Sequence, residues 1–217
     1  MQKVAGAEEI KKLYVVLKEP IDRRLEEFKA IWLRFNELEI IYELNFCLLT
    51  PQSKAKICWE AVLKLKEANA FESGDKGLIM KCLSGVRFPA NKTRYIVELR
   101  KKVWSDEFKP LFALLKLDVS PAVKRDALVK EVKGIGYKEA SHFLRNIWIG
   151  RDLAILDRHI LKNLKKFGVI SGEVRNISKR RYLELEERMT DFSVKLGVEM
   201  KYLDFIFWYM ETGKIFK

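Results

Sequence analysis

Residues Lys133–Asn146 read KGIGYKEASHFLRN. Two glycines bracket one isoleucine, and the pattern after them becomes helical. Upstream, Ser120 followed by Pro121 is a helix start, an N-cap hydroxyl and then proline at N1. That helix carries Val123, Leu128 and Val129 and ends near Val132. A Gly134-Ile135-Gly136 turn and a second helix from about Tyr137 close a helix–hairpin–helix. Each glycine can adopt the positive φ that a tight reversal needs, and Ile135 can plug the turn into the core beneath. The loop amides and the N-terminus of the second helix then point outward together. This is an anion nest, and a nucleic-acid phosphate suits it. Such a contact positions a protein without reading sequence. An ordinary helical hairpin whose turn needs glycine has the same pattern.

The rest of the chain is also helical in period. Ile21, Leu25, Phe28, Trp32 and Phe35 recur at steps of four and three, one apolar stripe of a helix. Tyr182, Leu185, Met189, Phe192 and Leu196 do the same, with Gly197 suited to the C′ position. Shorter patterns run through Ile57, Ala61, Val62 and Leu65, through Tyr95, Ile96, Leu99 and Val103, and through Phe108, Leu111, Phe112 and Leu115. Strand-like alternation is nearly absent, and there is no internal repeat, low-complexity segment or flexible linker. The fold class is all-α. The 217 residues suffice for one domain or two small lobes sharing a cleft.

Composition narrows the function. The net charge is +12 and the pI about 9.5. Nucleic acid is the leading polyanionic partner for such a chain. A lysine-rich solvated surface, as in heat-adapted proteins, gives the same charge. Cys47, Cys58 and Cys82 are an odd, widely spaced set without a CxxC pair, so they form no disulfide framework. With only two histidines, a zinc or iron–sulfur site has little to build on. The start, MQKVAGAEEIKK, lacks a signal-peptide core, and no apolar run approaches the ~20 residues of a membrane span. These features read as a soluble intracellular protein.

Two side chains carry chemistry. Lys138 sits in the first turn of the second hairpin helix, where the helix dipole disfavours a cation. That field, with burial in a cleft, lowers an amine pKa, and a neutral amine is a nucleophile. Asp157 lies 157 − 138 = 19 residues downstream in LAILDRHILKNL. Leu153–Leu156 should be buried there, and Ile160, Leu161 and Leu164 should stripe a helix. Asp157 suits an N-cap. Held ionised by helix amides, its carboxylate can also stabilise positive charge developing at a sugar carbon. A solvated lysine and a purely structural cap read the same way in isolation.

The GxGxK turn with an aspartate 19 residues on resembles the helix–hairpin–helix DNA glycosylases, and the lysine marks their bifunctional glycosylase/lyases. NFCLLTPQSKA, Asn45–Ala55, resembles the segment that approaches the lesion and fills the vacated stack. GVRFPANKTRYIVELR, Gly85–Arg100, resembles the segment lining the base pocket. No cysteine follows Cys82, unlike the four clustered cysteines of endonuclease III. The tail FWYMETGKIFK resembles the second, archaeal-type family of 8-oxoguanine DNA glycosylase/AP lyases. Two residues depart from the superfamily: Val132-Lys133 stands where Leu-Pro is frequent.

The resemblance implies an all-α helix–hairpin–helix glycosylase fold with two helical lobes flanking a cleft. One lobe spans about 46–149 and ends in the hairpin; the other combines about 1–45 with 150–217. It implies Lys138 and Asp157 as catalytic residues. Lys217, Trp208 and Phe88 would recognise the base. Gln52 would serve as the wedge, and Gly134, Ile135 and Gly136 would bind DNA. It implies no cofactor and no catalytic metal. The partner is double-stranded DNA containing 8-oxoguanine or abasic sites, met by a monomer in the cytoplasm beside the nucleoid. Gly213 can end the last helix so that Ile215 and Phe216 dock and hold Lys217 in place. A frayed terminus, with Trp208 as core, is the alternative. Three other functions remain open: a related lyase for oxidised pyrimidines, a hairpin module that only binds DNA, and a basic RNA-binding helical protein.

Overall fold

A computed structural model describes residues 6–174 and 177–216. Its regular elements among those residues are all helices. In chain order they are α1 (Ala7–Arg34), α2 (Glu37–Leu49), α3 (Ala55–Glu67), α4 (Lys76–Cys82), α5 (Pro89–Trp104), α6 (Lys109–Lys116), α7 (Pro121–Glu131), α8 (Tyr137–Asn146), α9 (Arg158–Lys166), α10 (Lys179–Leu196) and α11 (Met200–Thr212). They form two compact units. One runs from Arg34 to Phe143; the other joins the residues up to Leu33 with those from Leu144 onward. The division falls inside α8.

The Arg34–Phe143 unit is built around α2. Every residue from Ile40 to Leu49 is buried, so α2 shows no polar face over that run. Asn36 starts it by accepting a bond from the Glu39 amide at 3.0 Å. Phe46 packs edge-on against Trp59 of α3 and His142 of α8, with centroids 5.8 and 5.4 Å away. Phe35 is not the end of the α1 stripe. It takes a left-handed φ of 42° between α1 and α2, and its ring meets Phe112, with the Lys116 ammonium 3.8 Å from the ring centroid. The break is local chemistry: Asn36 caps α2 and ends the α1 register.

The other unit follows its stripes closely. Ile21, Leu25 and Phe28 of α1 are buried, as are all five predicted positions of α10. Gly197 and Gly213 end α10 and α11 in the left-handed conformation, at φ 69° and 67°. Phe28 stacks on Phe205, while Phe167 stacks on Phe192 and Phe207. Arg145, 4% exposed, lies 4.3 Å from the Phe205 ring centroid and 3.6 Å from Asp204. A buried cation so enclosed needs that carboxylate; losing one partner of such a pair costs about 3–5 kcal/mol.

The helix before the hairpin differs from its sequence reading in three ways. Ser120 precedes Pro121 at N1, but its hydroxyl makes no cap bond; its carbonyl accepts from the Val123 amide instead. Val123 is 49% exposed. Lys124 and Arg125 take the buried face: Lys124 donates to the Leu115 carbonyl at 2.8 Å, and Arg125 to Ser141 Oγ at 3.1 Å. Their long stems fill the space, and their polar ends find partners.

Candidate functional site

The hairpin has the predicted limits. α7 stops at Glu131, α8 begins at Tyr137, and Ile135 is buried beneath the turn. The two glycines serve different ends. Gly134 has φ +89°, and a Cβ there would stand 2.5 Å from Tyr95 Cδ2. Gly136 does not adopt positive φ; a Cβ there would stand 3.2 Å from Glu139 Oε2. Glu139 is the third residue of α8, and this oxygen accepts the Gly136 amide at 3.3 Å. That is the carboxylate half of a capping box. Tyr137 hydrogen-bonds Asp126, and Lys133 pairs with Glu98 at 3.3 Å. Gly134→Ala combines left-handed strain with a clash on a ring, together about 2–4 kcal/mol. The expected drop in Tm is about 5–15 °C, read by differential scanning calorimetry.

Lys138 projects from the first turn of α8 towards the end of α2. Its Nζ donates to Thr50 Oγ1 at 3.2 Å and pairs with Glu139 Oε1 at 3.2 Å. Thr50 spends its own proton on the Cys47 carbonyl, at 2.8 Å, so its oxygen faces Lys138 as an acceptor. The Lys138 side chain is 21% exposed and that of Glu139 14%. The pair is sheltered without being sealed.

A second lysine lies close by. Lys92 of α5 is 4% exposed, and its Nζ donates to Leu49 O at 2.6 Å, Pro51 O at 2.9 Å and Ser53 Oγ at 3.0 Å. An ammonium has three donors, and all three are engaged. Burial lowers the Lys92 pKa, and the Lys138 charge lowers it further. Those three bonds still hold its proton and leave no lone pair to react. Cys58 of α3 donates its thiol to Leu49 O at 3.2 Å, and burial pushes its pKa up to about 11. It stays a thiol near neutral pH and is no nucleophile there. Of these three groups, only Lys138 combines reach with an amine.

Lys92 also fixes the turn that carries Gln52. Gln52 is exposed with a left-handed φ of 55°. Ser53 Oγ, held by Lys92, accepts the Arg87 amide at 3.0 Å. The next residue, Phe88, has φ 57°, precedes Pro89 at the start of α5, and is 50% exposed. Exposed side chains on strained backbone concentrate at ligand-contacting positions. Within this unit the structure therefore brings Lys138, the Gln52 turn and the Phe88 loop into one connected network.

Asp157 and Trp208 belong to the other unit. Ala154, Ile155 and Leu156 are buried as predicted, and Leu153 is half-buried. Tyr182 Oη donates to Ala154 O at 2.6 Å, and Glu186 accepts the Ala154 amide at 2.8 Å. This clamps the segment that delivers Asp157. Asp157 N-caps α9, its Oδ1 accepting the His159 and Ile160 amides at 2.8 and 2.9 Å. Both bonds fall on Oδ1; the cap does not use Oδ2. The Trp208 ring is half-buried, edge-on to His159 with centroids 4.9 Å apart. Asn163 of α9 donates to Phe207 O at 3.2 Å, tying that helix to α11. Ile215 and Phe216 are half-buried after Gly213, and Lys217 lies outside the described residues.

Thr50, Lys92 and Glu139 were not singled out from sequence, and Cys58 was read there only as one of three unpaired cysteines. Nothing in PANKTRY marks Lys92 as buried, and only the fold reveals its burial. Glu139 did leave a signal, a glutamate three residues after an N-cap glycine. Among the described residues, no group of three His, Cys, Asp or Glu side chains could hold a metal ion. No helix among them is long and apolar enough to cross a membrane.

The chain matches the 8-oxoguanine DNA glycosylase family over residues 21–198. It is 42% identical to the 8-oxoguanine DNA glycosylase/AP lyase of Fusobacterium nucleatum, over the full length of both proteins. With the 8-oxoguanine DNA glycosylase/AP lyase of Methanocaldococcus jannaschii it shares 36% identity, over 93% of each chain. The solved 8-oxoguanine DNA glycosylase of Thermotoga maritima superposes with a TM-score of 0.86 at 34% identity, over 97% of this chain and 98% of that one. The Methanocaldococcus jannaschii 8-oxoguanine glycosylase/lyase, solved in complex with 15mer DNA containing 8-oxoguanine, gives a TM-score of 0.85 at 33% identity, over 97% and 99%.

Proposed function

Because the chain belongs to the helix–hairpin–helix 8-oxoguanine DNA glycosylase family, we propose that it excises 8-oxoguanine from duplex DNA and cleaves the resulting abasic site, with Lys138 as the nucleophile. The observation that supports Lys138 most is its contrast with Lys92. Both amines are sheltered in one network, yet Lys92 has all three donors engaged while Lys138 remains partly open to solvent. An amine that must leave its partners to attack cannot be the fully bound one.

The steps follow from these roles. The hairpin amides and the +12 charge bring the protein onto the phosphate backbone. The damaged nucleotide is extruded, which costs a few kcal/mol of unstacking. Gln52 fills the vacated position; Phe88, Trp208 and Lys217 recognise the oxidised base. Asp157 supports cation character at C1′ as the base departs. Lys138 bonds to C1′ and forms an imine with the opened sugar. β-Elimination then cuts the strand on the 3′ side. The enzyme acts as a monomer, in the cytoplasm beside the nucleoid.

Single-turnover excision on matched duplexes containing 8-oxoguanine or thymine glycol tests the substrate. The 8-oxoguanine duplex is expected to be cut about 100-fold faster or more, because a site built for one set of hydrogen bonds strands its polar groups on the other base. Equal rates, or cutting of thymine glycol alone, would overturn the assignment.

A further inference from the structure

We propose that Glu139 is a catalytic residue, the base that takes the proton Lys138 must lose before Nζ can attack C1′. The inference rests on the reading of Lys138 as nucleophile and adds a partner to it.

Adjacent residues on a helix point in different directions and do not ordinarily pair. Here the helix start brings them together. Glu139 Oε2 reaches back to the Gly136 amide, 3.3 Å away, and turns the carboxylate towards the N-terminus of α8. Thr50 holds Lys138 Nζ in the same place, and Oε1 lies 3.2 Å from that nitrogen. Gly136 leaves the room: any larger residue would put a Cβ 3.2 Å from Oε2. A Cβ at the second glycine of the turn would crowd that carboxylate, and its backbone does not use positive φ.

The neighbours leave Glu139 as the acceptor. Among the described residues of the Arg34–Phe143 unit, the charged and titratable groups around Lys138 are Glu139 on its own helix, Lys92 on α5 and Cys58 on α3, with Arg87 beyond Lys92; Asp157, in the other unit, is assigned to the sugar cation. Lys92 and Arg87 are cations. Cys58 is a thiol that donates to a carbonyl. Thr50 is too weak a base. In water a carboxylate would not deprotonate an ammonium, since their reference pKa values differ by about 6 units. The pair here is already sheltered, and DNA lying over it removes more water. Loss of water narrows that gap for any ammonium and carboxylate in contact, and bond formation to C1′ completes the transfer.

The step balances. One proton leaves the Lys138 ammonium for Oε1, which makes a carboxylic acid and a neutral amine. The freed lone pair forms the Nζ–C1′ bond as the C1′–N9 bond breaks, and that electron pair departs with the purine. The nitrogen now bears two hydrogens and a positive charge; it gives one proton to the departing purine. The Glu139 acid then protonates O4′ as the C1′–O4′ bond opens. This leaves a protonated imine and restores the carboxylate.

Glu139→Gln separates this role from capping. The amide oxygen can still accept from Gly136, so Tm should move by no more than about 2 °C. Strand cleavage of an abasic-site duplex is followed under single turnover from about pH 6 to about pH 10. Near neutrality the variant is expected to be about 100-fold slower than wild type, and the gap closes as the amine loses its proton unaided. Affinity for the abasic duplex stays within about twofold. Wild-type rates near neutrality, or an equal loss at every pH, would overturn the proposal. Should the variant fail to fold, Glu139→Asp keeps a carboxylate at shorter reach. It should give an intermediate rate with a wild-type pH profile, and a profile shifted to high pH would contradict the role. Lys138→Gln runs alongside. If it still cleaves, the nucleophile assignment fails; if it is inactive while Glu139→Gln equals wild type, only the base assignment fails.

Discussion

Lys138→Gln is expected to abolish strand cleavage at an abasic site, by at least about 1000-fold, and to leave no adduct for borohydride to trap. The reason is chemical: an amide nitrogen has no basic lone pair to bond C1′. The protein itself should stand. Lys138 and Lys92 repel each other, and the Lys138 charge helps lower the Lys92 pKa. Removing it leaves Lys92 and Glu139 as a balanced pair. Tm should hold or rise slightly, while the lyase signal on denaturing gels vanishes. Loss of activity with a fallen Tm would point to a structural role instead.

Asp157→Asn is expected to slow base excision by about 100- to 1000-fold while changing DNA affinity by less than about threefold. Asparagine caps helices about as well as aspartate. The bonds from the His159 and Ile160 amides to Oδ1 can therefore persist. What disappears is the negative charge. In a site shielded by bound DNA, that charge is worth several kcal/mol to a sugar cation. Single-turnover excision of 8-oxoguanine and equilibrium binding, measured on one preparation, separate the two quantities. Equal losses in both would mean that Asp157 only builds α9.

The fold is that of the helix–hairpin–helix DNA glycosylases, and much of it was legible because its helices lie on surfaces. A helix half in water must alternate, so α10 and most of α1 show in the spacing of apolar residues. α2 was hidden for the opposite reason: a helix enclosed on every side needs no polar face, and a run such as Ile40–Leu49 has no period to detect. Phe35 sits at the right spacing to extend the α1 stripe, but Asn36 and Glu39 outweigh it by capping the next helix.

The groups proposed to react were easier to see than their supports. Lys138 stands out because a cation sits badly at a helix start, and Asp157 because it caps one after a buried run. Lys92 could not be found this way. Its burial depends on carbonyls at Leu49 and Pro51 that are released where α2 ends, some forty positions earlier in the chain. Arg125 and Lys124 show the same limit. Nothing in the sequence marks them as buried, while the fold uses their length to fill space and their ends to satisfy buried partners.

The measurement that bears most directly on the chemistry is peptide mapping of the borohydride-reduced adduct formed on an 8-oxoguanine duplex. The mass of the reduced sugar fragment should fall on the peptide containing Lys138. Its appearance on Lys92 or any other lysine, or an unmodified protein after complete strand cleavage, would contradict the assignment of Lys138 as the nucleophile.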